Sequence, residues 1–263
     1  MRGRRGFTLL EVIVVIAVIS ILASIAVPYA AQILNQTREQ NARNEMEELH
    51  GAIMGNPSVP TSGFVGDMGR LPANLTQLNV RGGQPVGTNG LLGVKIGWFG
   101  PYINTGFDAN GYLNDPWGIQ YAYGNPGAGQ IRSAGKDRTM GTADDIIYPP
   151  NPATIGGSLL VNLSAWHTDN TASQYILNPQ PAAFPGMTAT VTFNYSSNGI
   201  QTGANVGTPA GPPYVFGIPV GFHAGFHAVT AVCTIPPDPP VTGQAVVYVP
   251  GNGQQAQLNL YLR

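Results

Sequence analysis

Twenty-one nearly unbroken apolar residues, Phe7 to Val27, begin six residues into this 263-residue chain, and only Thr8, Glu11, Ser20 and Ser24 interrupt them. As a helix rising about 1.5 Å per residue, the run reaches about 32 Å, close to the ~30 Å hydrocarbon core of a bilayer. Arg2, Arg4 and Arg5 stand just before it. Basic residues at the edge of a span stay on the cytoplasmic side, so the C-terminal bulk is expected across the membrane. The competing reading is a cleavable secretory signal with Ser24-Ile25-Ala26 as its cleavage site. Such signals have a shorter apolar region and no use for a carboxylate inside it.

Glu11 is that carboxylate. An ionisable group within a span is costly and points to function or pairing. Cleavage after Gly6 would make Phe7 the new N-terminus and place its amino group four residues from Glu11. In a stacked bundle, the carboxylate of one copy could neutralise the amine of the next, because an unpaired buried charge is strongly penalised. Glu11 would then set the axial register of subunits.

Beyond the span, Tyr29, Ile33, Leu34, Ala42, Met46, Leu49 and Ile53 recur at intervals that predict a continuing amphipathic helix packed on a globular domain. Glu39 and Arg43 form an i,i+4 pair of favourable order. Pro28 is a potential kink, and Gly55-Asn56-Pro57 ends the helix.

Charge separates the remainder into two parts. Of the twenty-five Lys, Arg, Asp and Glu residues, all but Asp169, Asp238 and Arg263 fall within the first 145 positions. The net charge of −1 gives no reason to expect a nucleic-acid partner. The 10% charged fraction is well below the roughly 25% of an ordinary soluble domain. A domain boundary is placed at Tyr148-Pro149-Pro150-Asn151-Pro152, since consecutive prolines favour extended chain.

The middle region is dense in turns, with short strands expected at Gln120–Tyr123, Gln130–Ser133 and Ile146–Tyr148. Asp115-Pro116-Trp117-Gly118 reads as a tight turn entering a strand, and its indole as core packing. Between the last two strands, Asp137, Asp144 and Asp145 share a glycine-containing loop with Lys136 and Arg138. Two readings stand: a solvated acidic turn, or a seat for a hard cation that accepts carboxylate and carbonyl oxygens.

From Thr154 onward the pattern alternates. Leu159, Val161, Leu163 and Ala165 share a face, as do Val191, Phe193 and Tyr195; His227, Val229, Ala231 and Cys233; and Leu258, Leu260 and Leu262. Short alternating strands between Gly/Pro loops predict an antiparallel β-sandwich. His223 and His227 straddle Gly225 in a strand region, with no acidic neighbour, and read as structural. His167 follows Trp166 and likewise reads as structural, and Cys233 reads as a small buried hydrophobe. With no phosphate loop, nucleophile elbow or zinc-protease helix, no enzymatic role is expected.

Gly6-Phe7-Thr8-Leu9-Leu10-Glu11, the apolar run and Pro28 closely resemble the leader and first helix of type IV prepilins and pseudopilins. Gly69-Arg70-Leu71-Pro72, Trp98-Phe99-Gly100-Pro101-Tyr102, Asp115-Pro116-Trp117-Gly118 and the acidic loop extend the likeness, to about residue 148, to the major pseudopilin of type II secretion systems. The resemblance implies cleavage between Gly6 and Phe7 by a prepilin peptidase, methylation of the new N-terminus, and Glu11 as the assembly carboxylate. It also implies a calcium ion at Asp137, Asp144 and Asp145, with the carbonyls of Ala134 and Thr142. Arg138 stands where the family often has glycine.

The expected fold is α+β. Residues 1–6 form a leader, 7–27 a transmembrane segment and 28–55 its amphipathic continuation. A small antiparallel pilin head follows at 56–150, and a β-sandwich extension at 151–263. The expected function is a structural subunit of a type II secretion pseudopilus or a type IV pilus-like filament. Expected partners are other subunits, the peptidase, an inner-membrane assembly platform and membrane lipid. The bulk would lie in the periplasm or an extracellular filament. The alternative is a minor or tip subunit whose sandwich binds cargo, glycans or partner proteins.

Overall fold

The computed structural model describes all residues except 1–8, 57–60, 105–109, 125–126, 169–172, 212–213 and 218–221. A single helix, α1, runs through Leu9–Met54, about 69 Å at the α-helical rise. Pro28 lies inside it without ending it. The hydroxyls of Ser20 and Ser24 are satisfied within the helix, donating to the carbonyls of Ile16 (2.8 Å) and Ile21 (2.7 Å). That is the bonding a polar side chain requires in an apolar surrounding.

Only the distal end of α1 packs on the rest of the chain. Ala42, Met46, Leu49, Ile53 and Met54 are buried, whereas Tyr29, Ile33 and Leu34 are exposed at 65%, 45% and 59%. The upper part of the predicted stripe therefore projects beyond the head. Its apolar residues belong to the same uncovered surface as the span, and the seat begins at Ala42 rather than at Tyr29.

The head surrounds that seat. Helix α2 (Gly63–Met68) contributes Phe64, Val65 and Met68 to a core with Met46, Ile53, Leu78, Trp117 and Ile131. A small ladder pairs β1 (Thr88–Asn89) with β2 (Lys95–Ile96). A three-stranded antiparallel sheet joins β3 (Ala122–Tyr123), β4 (Ile131–Ser133) and β5 (Ile146–Tyr148) in that order. Each falls within a segment expected as a strand. Tyr121 ties the sheet region to α1 by donating to Glu45 Oε2 at 2.7 Å. The proline segment after β5 is held in place rather than hanging free: Gln130 Nε2 donates to the carbonyls of Pro149 (2.8 Å) and Pro150 (3.2 Å).

Eight strands then build two facing sheets. One contains β6 (Ser158–Thr168) with β7 (Ser173–Leu177), β10 (Phe216–Gly217) and β13 (Gln255–Leu262). The other has the order β12 (Val241–Val249), β11 (Gly225–Thr234), β8 (Thr188–Ser197), β9 (Ile200–Gly207). Their shared core contains Leu159, Val161, Leu163, Val191, Phe193, Val229, Cys233 and Leu262, residues from the four alternating faces. One pairing departs from the antiparallel expectation: β13 runs parallel to β6. These strands are the first and last of the sandwich, so no short hairpin forces them to oppose each other. The β8–β9 turn is Asn198-Gly199, both with positive φ (52° and 75°), the two-residue geometry that matches strand twist.

The two cores meet along α2. Gly66 faces Gly225, and a Cβ on Gly66 would stand 3.1 Å from the Gly225 Cα, so the backbones touch with no side chain between them. The Asp67 carbonyl accepts from Gly97 N (2.9 Å) and from Ser196 Oγ (2.7 Å), joining α2 to both units. Gly199 N donates to the Met68 carbonyl at 2.8 Å. His223 faces the Ser196 carbonyl through Nε2 (2.7 Å) and the Ala224 carbonyl through Nδ1 (2.9 Å), while His227 Nε2 bonds the His223 carbonyl (2.7 Å). Both histidines thus serve packing at this seam.

Asp67 itself is 2% exposed, and its Oδ2 accepts from Tyr102 at 3.0 Å. Burial pushes its carboxyl up to about 6, opposed by the Tyr102 hydrogen bond and Lys95. The folded chain therefore holds a proton that the unfolded chain releases between the ordinary aspartate value and 6. Stability from this group increases as pH falls through 6 and is withheld at neutral pH. Asp67→Asn is expected to raise the melting temperature at pH 7.5 and to narrow its advantage toward pH 4, with an upper bound of about 3 kcal/mol. Thermal melts of both chains across pH 4–8 check this. Their difference isolates Asp67, because burial holds His223 and His227 below the ordinary range in both.

Candidate functional site

Gly6 and Phe7 lie outside the described residues. Glu11 lies on α1, two residues from its first described residue. From Leu9 to Leu34 every large apolar side chain is exposed, and among the described residues this is one helix long and apolar enough to cross a bilayer. Large exposed apolar surfaces of this kind mark a membrane or assembly face.

The acidic loop connects β4 to β5. Its base is set by the Asp115 turn: Asp115 Oδ1 accepts from Trp117 N (3.0 Å) and Ile119 N (2.9 Å), and its Oδ2 accepts from Ser133 Oγ (2.6 Å). Ser133 Oγ in turn accepts from Gly135 N at 3.2 Å. A buried aspartate in a turn motif thus orients the first residues of the loop. The sequence marks that motif as a turn but gives no sign of the contact across eighteen residues.

Within the loop, Asp144 Oδ2 accepts from Asp137 N (3.0 Å) and its Oδ1 from Thr142 Oγ1 (2.9 Å). These bonds, the Asp137 amide first, hold the Asp144 carboxyl below its ordinary value. Asp145 pairs with Arg132 and also accepts from Gly141 N at 2.8 Å. Asp137 Oδ1 caps Thr139 N at 2.8 Å. A Cβ on Gly135 would approach Asp144 Oδ2 to 2.9 Å, so the limb carrying Ala134 lies against the limb carrying Asp144.

The structure therefore gathers Asp137, Asp144, Ala134 and Thr142 into one loop, with Asp145 engaged by Arg132. The donors suit a hard cation. Among the described residues, however, no three carboxylate, imidazole or thiolate groups converge as a metal cage, and the loop closes through its own hydrogen bonds. It faces the exposed stem of α1 across a groove of about 600 Å³ lined by Pro28, Gln32, Gln36, Trp117, Asp144 and Asp145.

One acidic partner escapes sequence reasoning. His167 Nδ1 lies 2.8 Å from Asp238 Oδ2, which also accepts from Thr168 N at 2.8 Å. A separation of seventy-one positions leaves no local signal. This contact joins β6 to the loop before β12.

A long apolar helix whose distal end alone seats in a small sheet-bearing head defines a filament subunit of the pilin class. Residues 1–27 match the family described as "Prokaryotic N-terminal methylation motif", and residues 29–148 match "Type II secretion system (T2SS), protein G". The chain is 32% identical over 150 residues to the type II secretion system core protein G of Escherichia coli K12, covering 89% of that protein and 54% of this one. Against the protein of the same name from Xanthomonas campestris it is 31% identical over 142 residues, covering 83% and 53%. The Pectobacterium carotovorum protein gives 32% over 154 residues, covering 83% and 54%. No solved structure matches the chain. The chain belongs to the type II secretion protein G family, the major pseudopilins, and is a structural subunit of a pseudopilus anchored through its N-terminal helix. Both family matches end by residue 148, so the sandwich is an addition to the family's core.

Arg138 has φ 59°. A side chain there carries a steric cost of about 1–2 kcal/mol that glycine avoids. Arg138→Gly is expected to stabilise the head by about 1 kcal/mol, after the greater entropy of glycine in the unfolded chain is subtracted. An unchanged or lowered denaturation midpoint would contradict that.

Proposed function

We propose that the chain is made as a prepilin, cut between Gly6 and Phe7 by a prepilin peptidase and methylated at Phe7. It is then lifted from the inner membrane into the pseudopilus by an assembly platform. The observation that carries this reading is the uncovered apolar half of α1 with Glu11 within it. Apolar area of that extent is stable only in lipid or against other helices. Transfer from lipid to a helical bundle keeps it covered throughout, and each incoming Glu11 meets the amine of a neighbouring Phe7. The head and sandwich stay on the periplasmic side, opposite Arg2, Arg4 and Arg5. The work done is structural and not catalytic.

Calcium would be held by the carboxylates of Asp137, Asp144 and Asp145 with the carbonyls of Ala134 and Thr142. It would supply cross-linking charge to a loop that lacks apolar residues to order it. The closeness of the Ala134 and Asp144 limbs supports this reading, and Arg132 offsets one of the three carboxylates.

Glu11→Ala should insert into membranes as the unaltered chain does and fail to enter filaments; normal incorporation would overturn the pairing role. Mass spectrometry of the mature subunit should find methylated phenylalanine at its start. Calcium at a hundred times its dissociation constant should stabilise the full chain by about 2.7 kcal/mol relative to chelator. Asp144→Asn should lose that gain.

A further inference from the structure

Two arginines of the head converge on one buried glutamine. Arg70 follows α2, and Arg81 lies in a turn beyond the 3₁₀ segment Leu75–Leu78. Arg70 Nη2 donates to Gln84 Oε1 at 3.4 Å, and Arg81 Nη1 donates to the Gln84 carbonyl at 2.8 Å. Arg70 is also held from behind. Its Nη1 donates to the Leu71 carbonyl at 3.0 Å, and its guanidinium carbon lies 5.4 Å from the Phe64 ring centre. Among the described residues, no carboxylate pairs with either guanidinium. The two arginines line a groove of about 490 Å³ together with Asn74, Gln77, Gln84 and Asn198 of the β8–β9 turn. No Asp or Glu lines it, and Val80 and Pro85 are its only apolar side chains.

A second observation points to a ligand. Gln84 is 6% exposed, and its Nε2 is buried without a hydrogen-bond partner. An unsatisfied buried donor costs about 1–3 kcal/mol, and an incoming oxygen would recover it. At 3.4 Å the Arg70–Gln84 contact is long for a hydrogen bond, so little holds the amide from turning its donors toward the groove. The turn between the arginines and Gln84 is bare. Gly82 has φ 56°, and a Cβ on either Gly82 or Gly83 would meet no atom within 4 Å, which leaves the backbone amides open to approach. A neutral ligand would leave both guanidiniums unanswered, and an acyl chain would find almost no apolar wall. A carboxylate carries one charge, whereas a phosphate monoester carries about −1.5 to −2 at pH 7 and matches the guanidinium fork.

We infer that this groove binds a phosphate monoester, with Arg70 and Arg81 on its oxygens, Gln84 Nε2 donating to it, and Asn74, Gln77 and Asn198 receiving the polar group that carries it. The inference goes beyond the filament role. Binding is measured on unassembled chains, so a failure of assembly and a failure of binding are read separately.

The test is calorimetric titration of the full chain in nonionic detergent micelles, at constant ionic strength, with inorganic phosphate, glucose 6-phosphate or bicelles containing phosphatidate. Acetate is the singly charged comparison. Saturable binding of at least one phosphate probe is expected, tighter than acetate. Preference for glucose 6-phosphate would make the source a free sugar phosphate, and preference for the bicelles a lipid headgroup. Arg81→Gln, at an exposed position, should weaken binding about tenfold, as loss of one charge-assisted contact implies. Gln84→Glu keeps the shape of the side chain and an acceptor for Arg70 but supplies an internal counter-charge, and should abolish binding. Thermal melts of both variants verify that they fold. The proposal is overturned if no phosphate probe saturates the chain or if acetate binds as tightly. It is overturned equally if folded Arg81→Gln binds as the unaltered chain does. An unaltered chain that binds no phosphate probe, with an Arg81→Gln variant that folds but no longer enters filaments, would assign the groove to a contact between subunits instead.

Discussion

Everything in this molecule follows from apolar surface that its own fold does not cover. From Leu9 to Leu34, α1 presents large aliphatic side chains to the outside, and its packing on the head begins only at Ala42. At roughly 25 cal/mol per Å², leaving such a surface in water is prohibitive. The helix therefore exists only in lipid or against other helices. This single fact dictates an anchored precursor and a helical-bundle product, and it explains why one carboxylate within the apolar half is so consequential.

The head and the sandwich are two cores joined by contact between backbones. Gly66 and Gly225 remove the side chains that would hold the units apart, and the Asp67 carbonyl accepts from both sides of the joint. Such a joint leaves little space for rotation. The buried carboxylate of the same residue indicates a joint not optimised for stability alone, since an amide would meet the same phenol without the burden of ionisation.

Much of this was legible from residue order. The anchor, the carboxylate within it, the three short strands of the head and the alternating faces of the sandwich all rest on periodicity or local chemistry, and such signals survive in a single sequence. What was not legible depends on pairs far apart along the chain. Asp238 reaches His167 across seventy-one residues. Asp115 steers the acidic loop through Ser133. The parallel ladder of β6 and β13 joins the two ends of the sandwich. Glycines at the seam read as ordinary turn residues until the opposing backbone is known. Tyr29, Ile33 and Leu34 keep the helical period yet face outward, because periodicity reports that a face is apolar and not what covers it. Asn198-Gly199 was a readable hairpin signal that the alternation alone did not exploit.

The glycine seam also governs geometry at larger scale. If each subunit carries its second module fixed at one angle, a helical array of subunits becomes a shaft studded with outward spokes. Weak individual attachments along such a shaft would act together, and the fibre as a whole could grip a repetitive surface that no single copy would retain.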